Sequence, residues 1–333
     1  MCKSELMKNK ILRIGLFLMV FLLIGVATLL AYVRFALPDV GKPIDLKVEA
    51  TPERIARGEY LANHVTVCMQ CHSQRDWSVF AAPSKPGTAG MGGEVHDQRL
   101  GFPGRYVSKN ITPAGLSGWT DGQLLQAITS GVDKNGKALF PIMPYPNYGQ
   151  LDEADIHAII AYIRTLAPIE YVVENSSSDF PMNFIINTIP DKPNFSPRPD
   201  SADKVAMGKY LVTAGICMDC HTKSEQGAYV GALFAGGMEF PLEDGSVVRS
   251  PNITPHATGI GNWLAAQFVQ RFKLYSDSNY TAPKVQSGQF QTVMPWNSYA
   301  GMTESDLLSI YAYLKTVEPV EGVVERFSPA SGN

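Results

Sequence analysis

Cysteine is scarce in this chain: there are five among 333 residues, and four of them sit in two pentapeptides. The fifth, Cys2, has no partner left over, which excludes a disulfide framework. Cys2 precedes the hydrophobic stretch, whereas a bacterial lipid-anchor cysteine would follow one, so it reads as an unpaired thiol. Positive charge is also in short supply. The formal net charge is −3, and Lys3, Lys8, Lys10 and Arg13 against Glu5 concentrate the basic excess in residues 1–33. Residues 34–333 keep 24 basic and 30 acidic side chains, a net charge of −6. That balance excludes the basic footprint of a nucleic-acid-binding protein and suits a partner with a basic docking face. Apolar residues are not lacking. At 45% hydrophobic and 18% charged the chain is a folded protein rather than a disordered one, with length enough for two domains. Its 29 glycines and 23 prolines indicate long, shaped loops.

The two pentapeptides are Cys68-Met69-Gln70-Cys71-His72 and Cys217-Met218-Asp219-Cys220-His221. C-x-x-C-H is the spacing of a c-type haem attachment site: two thiols form thioethers with the haem vinyl groups, and the next residue binds the iron. A CxxC can instead be half of a zinc site or a redox-active pair. Zinc would want four ligands per site, and each copy offers two thiols and one histidine. A double occurrence, with histidine following both times, favours two covalently bound haem c groups.

Ile14 to Val33 is an uncharged run of 20 residues, long enough to span a bilayer as a helix. A cleaved signal peptide would have a shorter apolar core and a small-residue cleavage site, and neither is present. Basic residues before the span and few after it put residues 1–13 in the cytoplasm and the rest outside. Haem attachment outside the cytoplasmic membrane agrees with this. The reading is a single-pass protein of the bacterial inner membrane with its haem domains in the periplasm. Residues 34–50, with Pro38, Gly41 and Pro43, read as a short tether.

The chain then repeats itself. Gly58-Glu59-Tyr60-Leu61 recurs as Gly208-Lys209-Tyr210-Leu211, and the CxxCH motif follows each. Asn110-Ile111-Thr112-Pro113 recurs from Asn252, Met143-Pro144 recurs as Met294-Pro295, and Ala161-Tyr162 recurs as Ala312-Tyr313. The offsets are 150, 149, 142, 151 and 151 in chain order, so the length variation falls in loops. Each copy predicts a first helix (about 52–65 and 202–215), a middle helix (about 121–130 and 262–275) and a closing helix. Asp152 with Asp155, and Thr303 with Asp306, have the spacing of a helix N-cap and its returning carboxylate. Ile156, Ile159, Ile160, Ile163 and Leu166 mark one apolar face, and Pro168 and Pro319 stop the helices. Residues 168–200 are broken by five prolines but carry Phe180, Met182, Phe184, Ile185, Ile186 and Ile189. So apolar a segment is expected along the domain interface.

A haem with one histidine has a second axial position, and its occupant separates carrier from enzyme. Met143 and Met294 follow His72 and His221 by 71 and 73 residues, each before a proline that shapes the loop. A thioether sulfur there favours reduced iron. Methionines as core filler are the blander alternative, and recurrence at matched spacing favours ligation. Met69, Met218, Met91 and Met238 compete poorly, and His64, His96, His157 and His256 have no counterpart in the other copy. Asn110 and Asn252 either donate to a haem propionate or shape a turn before proline; both readings stand.

Two CxxCH units with the later Asn-Ile-Thr-Pro and Met-Pro elements resemble the cytochrome c subunits of membrane-bound alcohol and gluconate dehydrogenases, over about residues 52–326 and including Phe180-Pro181-Met182-Asn183. The resemblance implies electron transfer from a dehydrogenase or quinol-oxidising complex to an oxidase or soluble carrier. It also carries haem binding onto Cys68, Cys71, His72 and Met143, and onto Cys217, Cys220, His221 and Met294. Many such subunits hold three haems, whereas this chain has motifs for two. The expected fold is mainly α: a tandem duplication of the class I cytochrome c fold behind an N-terminal transmembrane helix. Its segments are 1–13, the anchor 14–33, the tether 34–50, domain one 51–175, linker 176–200, domain two 201–327 and a tail 328–333. In the class I fold the first and last helices cross closely, so Gly58 should meet Tyr162 and Gly208 should meet Tyr313. An electron-transfer protein is expected rather than a catalyst. The rival is a dihaem peroxidase, one of whose haems must open to peroxide. Met143→Leu and Met294→Leu should each abolish the methionine–iron charge-transfer band of one haem, and a band that persists removes that methionine as a ligand.

Overall fold

The computed structural model describes residues 2–330, with side chains from Met7 onward. Met1 of the expected N-terminal segment and residues 331–333 of the expected tail lie outside the described residues. Helix α1, Cys2–Phe35, extends the apolar run at both ends. Its portion Met7–Phe35 is long and apolar enough to cross a membrane, and its apolar window is wholly unburied.

Two halves with the same order of elements follow. The first has α2 (Pro52–Tyr60), a π-turn over Leu61–Val65, α3 (Cys68–Cys71), α4 (Asp121–Ser130), α5 (Tyr145–Tyr148) and α6 (Glu153–Ile163). The connecting segment contains α7, Met182–Ile185. The second half has α8 (Lys204–Ala214), α9 (Cys217–His221), α10 (Ala265–Lys273), α11 (Trp296–Tyr299) and α12 (Glu304–Leu314). Short antiparallel sheets edge the helices. β1 (Val95–His96) pairs with β2 (Gly104–Val107), and β2 pairs with β3 (Ser177–Ser178). In the second half β4 (Ser224–Glu225) pairs with β5 (Ala228–Tyr229). There β6 (Glu239–Pro241), β7 (Val247–Arg249) and β8 (Phe327–Ser328) form the counterpart sheet, with Val248 opposite Phe327. β3 and β8 thus fasten the chain back onto its own half just past the boundaries expected at 175 and 327.

The helices cross where expected. A Cβ on Gly58 would stand 1.8 Å from the Ala158 carbonyl oxygen and 2.9 Å from Tyr162 Cβ. One on Gly208 would stand 1.9 Å from the Ser309 oxygen and 2.7 Å from Tyr313 Cβ. α2 therefore lies backbone to backbone on α6, and α8 on α12, an approach closed to any residue with a side chain. Around these crossings one contiguous core runs through both halves, from Leu61, Val65 and Ile159 to Leu211, Leu307 and Ile310.

The halves also cap one another. The Tyr60 hydroxyl meets Asp306 Oδ2 at 2.5 Å and accepts from the Thr303 amide, while the Tyr210 hydroxyl donates to Asp155 Oδ2 at 2.7 Å and accepts from the Asp152 amide. The expected return of the Asp155 and Asp306 carboxylates to their own N-caps is therefore corrected. Each is taken by the tyrosine of the opposite half, because a phenol withdrawn from water, wholly at Tyr210 and partly at Tyr60, needs an acceptor. The cap residues still serve, Asp152 accepting from Ala154 and Thr303 from Asp306. Asp155 also holds Arg57 and Arg198. For Arg57, the bond and charge of Asp155 outweigh the cost of burial and raise its pKa. Burial, then the facing carboxylate, holds both tyrosines well above the usual phenol range.

A second seam joins residues 77–81 to 283–291. Phe80 donates its amide to Pro283, Val285 to Ser78, and the buried Gln291 bonds Trp77, Val79 and Ala81. The longer loop of the second copy is what makes this clasp.

Two expectations change. The tether is not free: Gln126 donates to the Gly41 carbonyl, Val48 donates to Asp121, and a Cβ on Gly122 would lie 1.9 Å from the Ile44 oxygen. Residues 41–48 are thus strapped along α4. The linker divides in two. Residues 194–198 bond to Gly149, Leu151 and Asp152, whereas α7 packs against α1 and the short turn after it instead of lying between the halves.

Gly58→Ala should lose about 1–3 kcal/mol of stability, the usual cost of overpacking, and Gly58→Leu should leave the first half unfolded, both read by denaturant unfolding. Tyr210→Phe should cost about 1–3 kcal/mol by leaving the buried Asp155 carboxylate short of a donor, and Tyr60→Phe less, because Asp306 is only half-buried. Unfolded tyrosine ionises near pH ~10 and these two only above it. Their contribution is therefore present below about pH 10 and lost as pH rises further, so the double variant should show a shallower alkaline loss than the native chain.

Candidate functional site

Both pentapeptides begin from a strained residue. Val67 and Ile216, the β-branched residues just before the first cysteines, have φ of 47° and 49°. That region is unfavourable for such side chains and persists only where the surroundings impose it. The imposing contact recurs as well. The Tyr148 hydroxyl donates to the Thr66 carbonyl at 2.6 Å, and the Tyr299 hydroxyl donates to the Gly215 carbonyl at 2.7 Å. Each carbonyl belongs to the residue two before a motif cysteine, and each tyrosine lies five residues after a Met-Pro methionine. One buried hydrogen bond therefore ties the methionine loop to the cysteine turn in each half. Sequence reasoning missed these tyrosines, although the shared Met-Pro-x-x-x-Tyr spacing was there to be found.

The histidines are held alike. His72 Nδ1 lies 2.6 Å from the Lys109 carbonyl oxygen, and His221 Nδ1 lies 2.9 Å from that of Pro251. A carbonyl only accepts, so the proton is on Nδ1 and the Nε2 lone pair is left to bind a metal. Gly92 and Gly236 complete the cradle. Their amides donate to the His72 and His221 carbonyls, and a Cβ on either would come within 2.5 Å of the backbone just past β2, at Ser108, or just past β7, at Ser250 and Pro251. The two Gly-Gly pairs, 92–93 and 236–237, thus do correspond, although their neighbouring methionines do not.

The four thiols are free. Burial pushes Cys68 up to about 11 and Cys217 and Cys220 up to about 12, and raises Cys71 as well. These are not the lowered values of a redox-active pair. Burial thus favours neutral sulfur, which a thioether is, so the donor set fits a covalently attached haem: two neutral sulfurs and an imidazole offering Nε2. Among the described residues no three His, Cys, Asp or Glu side chains converge as a metal cluster, so the zinc reading gains no fourth ligand. Met143 and Met294 are half-buried against the core, at the starts of α5 and α11.

The two motifs stand near one another across the seam between the halves. Asn147, in α5, donates to Asp219 of the second motif, and Ser298, in α11, donates to Gln70 of the first. His64 lies in this seam with Nδ1 at 2.9 Å from the Ser298 carbonyl.

Asn110 and Asn252 take the turn role. Asn110 Oδ1 accepts from the amide and hydroxyl of Thr112, and its Nδ2 donates to the Ile169 and Tyr171 carbonyls. Asn252 does the same with Thr254, Val320 and Gly322. Their amide hydrogens are spent on backbone, and each asparagine directly follows the carbonyl that orients a motif histidine. Asn110→Ala should therefore lower stability by about 1–3 kcal/mol and leave the pH dependence of the reduction potential unchanged. A changed pH dependence would return Asn110 to propionate binding.

Residues 205–318 match the family model described as Cytochrome c. The gluconate 2-dehydrogenase cytochrome c subunit of Pantoea cypripedii is 28% identical over 290 residues, 81% of this chain and 60% of that one. The cytochrome c subunit of the quinone alcohol dehydrogenase of Gluconacetobacter polyoxogenes is 26% identical over 302 residues, 86% of this chain and 59% of that one. A diheme cytochrome c-type protein of Cereibacter sphaeroides is 28% identical over 267 residues, 76% and 83% of the two chains. The chain thus spans about three-fifths of the length of the two dehydrogenase subunits. It carries a cytochrome c domain, of the kind that holds haem c covalently, and resembles the cytochrome c subunits of alcohol and gluconate dehydrogenases.

Proposed function

We propose that the chain is a membrane-anchored dihaem cytochrome c, a tandem duplication of the class I fold that relays single electrons and makes no bonds itself. The observation that supports this furthest is the doubled histidine geometry, in which each CxxCH histidine gives its Nδ1 proton to the carbonyl just before Asn-Ile-Thr-Pro. Cys68, Cys71, His72 and Met143 would hold one haem, and Cys217, Cys220, His221 and Met294 the other. Bound there, haem c supplies a reversible one-electron iron couple. The chain's own residues set its conditions. The backbone carbonyls orient the imidazoles and raise their basicity. Tyr148 and Tyr299 keep the methionine loops against the attachment turns. Met143 and Met294, half-buried at the two sites, would each supply a thioether to the iron, and a site filled in that way would not suit a peroxidase.

The named relatives are dehydrogenase subunits, so a dehydrogenase is proposed as electron donor and an oxidase or soluble carrier as acceptor. The unburied α1 is read as an inner-membrane anchor, with the units, residues 51–178 and 201–328, on the periplasmic face. Mass spectrometry of the protein from membranes should show two haem masses, and one after Cys68→Ser with Cys71→Ser; a native chain with fewer than two rejects the dihaem reading. Optical and paramagnetic titration should find two low-spin centres, and a high-spin centre would favour the peroxidase.

A further inference from the structure

A helix anchor alone leaves a domain free to swing over the membrane. Here residues 41–48 are strapped along α4, so the chain leaves α1 in a set direction. α7 and the turn Ile186–Thr188 pack against α1 itself. Val33 is the one residue between positions 7 and 35 that is not exposed, which puts that contact on the last turn of the helix. Val33 also ends the uncharged apolar run, so the contact falls at the level where hydrocarbon gives way to headgroups.

The segment placed there has the chemistry of that level. Residues 180–190 contain no charged side chain. Phe180 is 82% exposed and Ile185 44%, and the Phe180 ring stands edge-on to Phe184 with centroids 6.4 Å apart. The lower half of the connection behaves differently: Phe195 packs on the core and its neighbours bond to Gly149 and Leu151. Beside α1, Phe180 and Ile185 stay exposed while Met182, Phe184, Ile186 and Ile189 are half-buried.

We propose that residues 180–189 are a second membrane contact, an interfacial segment that seats Phe180 and Ile185 among the lipids around α1. The cytochrome units would then stand on the bilayer in one fixed posture, not on a swinging stalk. The segment bridges the halves in sequence and sits beside the anchor in space, so one contact orients both. This deepens the anchor reading and depends on it.

Full-length protein carrying Cys2→Ser and a single new cysteine, Ile185→Cys or Phe180→Cys, would be nitroxide-labelled in vesicles of phosphatidylethanolamine and phosphatidylglycerol. Leu23→Cys labels the span, and Val323→Cys, at a site 90% exposed in the second half, labels water. The labels at 180 and 185 should lose access to a water-soluble nickel chelate and keep access to oxygen, as the Leu23 label does. Labels that meet the chelate as freely as the Val323 label overturn the proposal, and so do labels shielded from chelate and oxygen alike, the result expected if a protein partner covers the segment. A lipid-buried Leu23 label in that experiment preserves the anchor, and an aqueous one removes the anchor and this proposal together.

Discussion

Two backbone-to-backbone contacts carry this structure. At Gly58 on Ala158, and at Gly208 on Ser309, a helix approaches another so closely that a methyl group would overlap a carbonyl oxygen. The crossing sets the first helix of each half against the last. The cysteine turn follows directly from the first helix, and the methionine loop leads directly into the last. The crossing therefore brings the two close, and Tyr148 or Tyr299 joins them with one buried hydrogen bond. The cost of the strained Val67 and Ile216 is offset within this frame.

The same helices bind the halves to each other. Tyr60 and Tyr210 stand two residues beyond the crossing glycines, on first helices, and each reaches the N-terminus of the opposite closing helix. The relation is nearly symmetric but not wholly so. Arg57 and Arg198 gather on Asp155 alone, and only the second half extends a long loop to clasp residues 77–81. The motifs themselves differ at their third position, Gln70 against Asp219, and both face the other half.

Much of this was legible in the chain. The CxxCH spacing, the recurring Met-Pro and the Gly-x-Tyr-Leu repeats are local patterns whose chemistry depends on neighbours in sequence. The first middle helix lies over the expected 121–130, starting at a capping box of Thr120 and Gln123, whereas the second, expected over about 262–275, is α-helical only over Ala265–Lys273. The destinations of long side chains were not legible. Asp155 and Asp306 sit at the cap-box position, yet a tyrosine more than 50 residues distant in the chain outcompetes the local amide once burial makes its hydroxyl costly to leave unpaired. Asn110 was equally suited to a propionate or a turn until the carbonyls of Ile169 and Tyr171 came within reach.

The sequence by itself determined the local donor groups: which thiols and which histidine stand together, that they do so twice, and that an apolar helix precedes them. These follow from spacing along a chain of fixed geometry. Only the tertiary structure decided which imidazole nitrogen is free, which tyrosines hold the methionine loops, that the tether is strapped to α4, and that the apolar linker turns to the anchor instead of the seam. Each of those depends on a backbone carbonyl or a neighbouring surface supplied from a distant part of the chain, and spacing along the chain does not encode it.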